Sequence, residues 1–275
     1  MAIRVWEVLD ASETARNAYL CILSRPTLRQ VAQNAICLLL WLDTTMGFDV
    51  LTDVASMASI DDTLTRVVYE ANALCSYVLH GHYDAYVLHG HYDAVPPPYD
   101  EGFSTITALC GGGSLVDHWF FRFHRDLVAR GIAMIRDGVA RLVFDDNLYE
   151  MMRRFEEDCN SFLIPNPELA PELMEPFVVT TTTPPEDSRT VFVSFPECNP
   201  LTSQDILDYF ELTLRYGRCI ERVGTERPCA RRSAKHGVIV FRSVAQRREV
   251  MMGEPAAVFR VDGRDMWVQP YRPPC

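Results

Sequence analysis

Two apolar runs near the end of the chain, Val191–Phe195 (VFVSF) and His236–Phe241 (HGVIVF), constrain the fold more than any other feature. Both concentrate β-branched and aromatic residues over five or six positions, the pattern of strands that pack on at least one face. Between them Thr202 precedes Asp205 by three residues, and Ile206, Leu207, Phe210 and Leu214 follow at helical spacing. A hydroxyl at the N-cap and an acid at N3 satisfy each other's orphan backbone N–H groups, so a helix starts there. A second helix is predicted at Val244–Met252, and a last strand at Met266–Tyr271 beyond the Asp262-Gly263 turn. The order is strand, helix, strand, strand, helix, strand.

That order, with the residues inside it, resembles the RNA recognition motif over Thr190–Tyr271. The resemblance implies a ferredoxin-like βαββαβ domain. Val191 and Val193 match the inward aliphatics of the family's first strand, and Phe192 the outward aromatic on which a base stacks. On the third strand Gly237, Ile239 and Phe241 fit the family frame. His236 and Val238 stand where it carries two further stacking aromatics, so this is a degenerate member. Trp267, placed by alternation on the same face as Phe192, offers a replacement. In the first helix the family's closing aromatic pattern is displaced to Tyr216-Gly217, which predicts a longer helix or a bulge. The implied partner is single-stranded RNA, held by Phe192, His236 and Trp267, with Arg231, Arg232 and Lys235 of the loop between strands two and three on its phosphates. The competing reading of those aromatic losses is a protein-interaction adaptor whose recognition-motif domain is structural or binds protein.

Charge is divided unevenly. The chain of 275 residues carries a net −11, yet from Arg189 onward 14 basic residues face 10 acidic ones, leaving −15 for the remainder. A basic module joined to an acidic one suits nucleic-acid contact by the first and protein contact by the second. Residues 1–163 read as an acidic all-helical domain. Apolar residues recur at helical spacing through Ile3–Ile22, through Val31–Leu42 after Pro26, and in Val50–Ala58, Asp62–Tyr77, Asp117–Val143 and Asp146–Phe162. Residues 164–188, with their prolines and four consecutive threonines, read as an extended linker, and 189–275 as the recognition-motif domain. The pairing of a helical half with such a module resembles a group of plant proteins of unassigned role.

Other features point to no chemistry. The nonapeptide YVLHGHYDA occurs twice in tandem, at Tyr77–Ala85 and Tyr86–Ala94, bringing His80, His82, His89 and His91 together. Histidines two apart beside carboxylates can ligate zinc or copper, but an identical copy running into Val95-Pro96-Pro97-Pro98 reads as a duplicated loop without a second shell. In His118–Asp126 (HWFFRFHRD), Trp119, Phe120, Phe123 and Leu127 share one helical face and read as core. No phosphate-binding loop, nucleophile elbow or dinucleotide fingerprint occurs, so neither an enzyme nor a cofactor is expected. Nine scattered cysteines without a Cys-x-x-Cys pair read as reduced thiols. The longest apolar run is eight residues and no signal peptide is indicated, so no membrane partner and a nuclear or cytoplasmic location are expected.

Overall fold

The computed structural model describes residues 3–57, 62–81, 103–112, 115–160, 170–179, 183–214, 216, 218–228 and 233–274. It is a mixed α and β protein that divides into two compact units interleaved along the chain. The first comprises Met1–Leu109, Val128–Thr182 and Pro274–Cys275, and the second Cys110–Leu127 and Thr183–Pro273.

The first unit is helical. Helices α1 (Val5–Ala11), α2 (Glu13–Leu23), α3 (Arg29–Trp41), α4 (Val50–Ser56), α5 (Asp62–His80) and α6 (Ser104–Leu109) form its leading part. The α3 helix is apolar on almost every side and is buried from Ala35 to Trp41, so it forms the centre against α5. A π-helical turn, Leu42–Met46, closes it at Gly47, whose φ of 73° suits a residue without a Cβ. Glu70 of α5 caps α6 by accepting the N–H groups of Thr105 and Ile106 at 2.9 and 2.8 Å. Farther along lie α7 (His118–Phe123), which belongs to the second unit, α8 (Arg125–Asp137), α9 (Val139–Val143) and α10 (Asp146–Asn160). The helical stretch Asp117–Val143, expected to be interrupted at Gly131 and Gly138, breaks at His124 and, as expected, at Gly138. Gly131 does not break it, because that residue is buried inside α8.

The Pro/Thr-rich segment is not simply an extended linker. Its described part, 170–179, packs into the first unit: a short helix α11 (Pro171–Met174) buries Leu173 against Val5 and Leu9, and Pro176 bridges Arg4. Proline at the first helical position costs that turn nothing, since its missing N–H would have no helical partner there. Residues 183–189 lead into the second unit through a 3-10 turn at Asp187–Arg189.

The sheet has strands β1 (Thr190–Ser194), β2 (Ile220–Thr225), β3 (His236–Phe241), β4 (Ala257–Val261) and β5 (Arg264–Pro270), in the spatial order β2-β3-β1-β5-β4 and wholly antiparallel. The β4 strand was not foreseen. It forms a hairpin with β5 around Asp262-Gly263, both at positive φ, and extends the sheet by one edge strand. Two helices, α12 (Ser203–Asp208) and α13 (Val244–Val250), cover one face over a core of Val191, Val193, Ile206, Phe210, Ile239, Phe241 and Met266. The capping box forms as read, with Thr202 N–H on Asp205 at 2.9 Å and Asp205 N–H on the Thr202 hydroxyl at 3.1 Å. The irregularity expected after it is a π-helical turn at Tyr209–Thr213. Gly237 suits a tight approach: a Cβ there would stand 3.0 Å from the Gly224 carbonyl on β2.

Candidate functional site

The expected stacking residues lie on the face of the sheet away from α12 and α13. Register puts Phe192 opposite Val238 and Gln269, and Ser194 opposite His236 and Trp267, so Phe192, His236 and Trp267 share that face as alternation requires. The second expectation, that Phe192 is exposed there, is overturned. Phe192 is 0 % exposed because α7 lies across β1 and β3. Its ring meets Phe120 edge-on with centroids 5.1 Å apart, His124 at 4.7 Å and Tyr271 at 5.5 Å. The HWFFRFH segment is core, as its sequence indicates, but the buried side chains are Phe120, Phe121 and His124, and Phe120 and His124 pack on sheet residues.

The local chemistry explains the placement of α7. Asp117 is its N-cap and accepts the Phe120 N–H at 2.9 Å. The same carboxylate reaches β3, with Oδ1 2.9 Å from the His236 Nε2 and Oδ2 3.0 Å from the Lys235 ammonium. An ionised carboxylate only accepts, so the Nε2 of His236 carries the proton and donates it. Burial raises the Asp117 carboxyl, but the His236 hydrogen bond and charge, Lys235 and the Phe120 N–H outweigh it and hold the group well below the usual carboxylate range. Lys235, expected on RNA phosphates, is thus engaged inside the protein, and His236, expected to stack on a base, is fully buried. Two buried imidazole nitrogens, His236 Nδ1 and His124 Nε2, have no hydrogen-bond partner among the described residues. Burial, and after it the neighbouring His236, push the His124 imidazole well below its usual value.

Trp267 alone of the three stacking candidates stays accessible, at 54 % exposure, beside the equally open Val258 across the β4–β5 pair. Arg231 and Arg232 lie outside the described residues. Of the repeat histidines, His80 ends α5, and His82, His89 and His91 lie outside the described residues as well. No group of three metal-ligating side chains occurs among the described residues. No helix among them is long and apolar enough to cross a membrane.

In the helical unit α3, α5 and α8 enclose a cleft of about 220 Å³. Asn34 donates to Asn72 across it at 3.0 Å, and Arg136 is the one Lys or Arg among its described lining residues. Leu28, Val31 and Leu79 line it with Gln30, Ser76 and His80. Sequence reasoning missed Asp117 and His124 as members of the sheet-face cluster. The only available signal was an N-cap acid three residues before an aromatic pair, which specifies a helix but not the surface it docks on.

Comparison with protein-family models, with curated proteins and with solved structures finds no match.

Proposed function

We propose that the unit formed by Cys110–Leu127 and Thr183–Pro273 is a degenerate RNA recognition motif that works as a protein-interaction adaptor and does not read single-stranded RNA through its central sheet face. The order β2-β3-β1-β5, the helices α12 and α13 on one face, and the backbone approach at Gly237 support the likeness to that family. The observation that carries the functional reading is the burial of Phe192 beneath Phe120 and His124. A base cannot stack on a ring whose edges and face are already packed, and the position that pairs with it on β3 is the aliphatic Val238. An amphipathic aromatic helix occupies the surface instead, which is a protein-recognition geometry.

Filter binding of mixed single-stranded RNA at low salt tests this, with Phe192→Leu as the variant that removes the ring and keeps apolar volume. Wild type and variant are expected to bind equally weakly. Tight binding lost in Phe192→Leu, or ultraviolet crosslinks from RNA to β1, would return the module to RNA recognition.

A further inference from the structure

We propose that α7 is an acid-released cover: proton uptake by His124 frees the helix from the sheet and bares Phe192 and the central face. The inference rests on reading α7 as the occupant of that face, and not on the identity of any partner.

The geometry is that of a proton sensor. His124 ends α7 and is packed among rings, with Phe120 at 4.6 Å, Phe192 at 4.7 Å and His236 at 6.3 Å between centroids. Its Nε2 is buried without a hydrogen-bond partner among the described residues, so nothing there would receive a second N–H. The ionisable groups of the elements packed around it include Asp117, His118, Arg122, Arg125 and Asp126 from its own stretch, Lys235 and His236 at the start of β3 with Glu226, just past β2, against both, and the Tyr271 phenol beside Phe192. From β1 it meets Phe192, which offers no charge. Asp117 is already shared by His236, Lys235 and the α7 backbone, and Glu226 accepts the Lys235 backbone N–H. A new cation at His124 would face apolar rings and a histidine held by a carboxylate, an arrangement that burial penalises heavily.

The sign follows from the depressed value of His124. The covered state binds fewer protons than the open one, whose imidazole titrates near the reference 6.5. Closure is therefore fully stable above that pH and weakens as pH falls below it. For one such group the closed-to-open ratio drops about 30-fold between pH 7.5 and pH 5. Asp117, held low, stays ionised across this window and adds nothing to it.

Peptide-resolved hydrogen exchange on the full chain, corrected for intrinsic rates, tests the cover directly. Protection across 118–124 is expected to fall about 30-fold from pH 7.5 to 5 while the α12 and α13 peptides keep theirs. His124→Phe, which fills the same space without titrating, is expected to hold protection at pH 5. Unchanged protection in the wild type, an equal fall in His124→Phe, or a parallel loss in α12 and α13 would overturn the proposal. Should His124→Phe not fold, the His124 imidazole is followed by NMR in the wild type, and a ring that stays neutral until the whole unit unfolds overturns it too. No RNA or partner enters the experiment, so its outcome is separate from that of the adaptor reading.

Discussion

Asp117 ties a helix end to a strand: its Oδ1 stands 2.9 Å from the His236 Nε2 on β3 while the same oxygen caps α7 through the Phe120 N–H at 2.9 Å. Two sequence-distant requirements, an N-cap and a partner for a buried histidine, are met by one carboxylate. The energetic consequence is that α7 and β3 cannot separate without leaving His236 and Lys235 without that carboxylate.

Asp117→Ala is accordingly expected to destabilise the unit by about 3 kcal/mol, part from the lost cap and the larger part from a buried ion pair left half-made. Asp117→Asn keeps the cap and isolates the charge. The native carboxyl sits below its unfolded value, so its contribution is complete above about pH 4 and is lost as pH falls through the lower native value. Denaturant midpoints measured from pH 6 down to pH 2 should show an acid limb in the wild type that is shallower in Asp117→Asn.

Phe192 and Trp267 share a face of the sheet but not an environment. Phe192→Ala is expected to cost about 3–5 kcal/mol, because removing a fully buried ring leaves a cavity between α7 and β1. Trp267→Ala, at an open position on β5, is expected to stay within about 0.5 kcal/mol of wild type. Urea unfolding of both variants decides the point. Similar small costs would mean that Phe192 is as open as Trp267.

Much of the sheet unit is legible in the sequence because its signals are local. Period-two alternation placed Val191 and Val193 on one side and Phe192 on the other, and Thr202 with Asp205 announced α12. The displaced aromatic at Tyr216 announced the irregular end of that helix. What the sequence could not carry was the lid. Phe120 meets Phe192 from 72 positions away, and an amphipathic segment states that it needs a buried surface without saying which one. The HWFFRFH stripe reads as core of the helical half because its apolar residues share one helical face inside a run of helical patterns. For the same reason 170–179 read as linker: prolines exclude long elements but do not prevent one short turn from burying Leu173. The β4 strand was missed because Val258 and Arg260 are open to solvent, and its packed side is marked by the small Ala257 with Phe259 and Val261 alone in a five-residue strand.

In the helical unit Arg16 is the polar anchor. It lies largely buried, donates to the Val143 carbonyl at 2.9 Å and to Asp146 at 2.6 Å, and stacks over the Tyr149 ring at 4.6 Å. Asp146 is half exposed and also holds Arg29, so the ion pair is well screened, and the buried carbonyl is the costlier loss. Arg16→Met preserves much of the packing and is expected to cost about 2 kcal/mol, read from thermal or denaturant unfolding. A neutral substitution would mean that water replaces the guanidinium at Val143.

The docked segment 170–179 makes the last expectation concrete. Leu173 is fully buried against Val5 and Leu9, and the backbone on either side is fixed by Val5 N–H on the Glu175 carbonyl at 3.0 Å and Phe177 N–H on the Ile3 carbonyl at 2.8 Å. Farther on, Val179 reaches Gly138, where an added Cβ would lie 3.6 Å from its methyl but only 2.9 Å from the Met134 carbonyl. Leu173→Asp places a charge in an apolar cluster, with the exposed Arg4 guanidinium held on the Met174 sulfur next to it, so the turn should release. Peptide-resolved hydrogen exchange is expected to show 170–177 and α1 losing protection together, since each supplies the other's hydrogen bonds, while the α3 and α5 peptides remain protected. Protection retained at 170–177 in Leu173→Asp would show that the backbone bridge, and not the leucine, holds the segment in place.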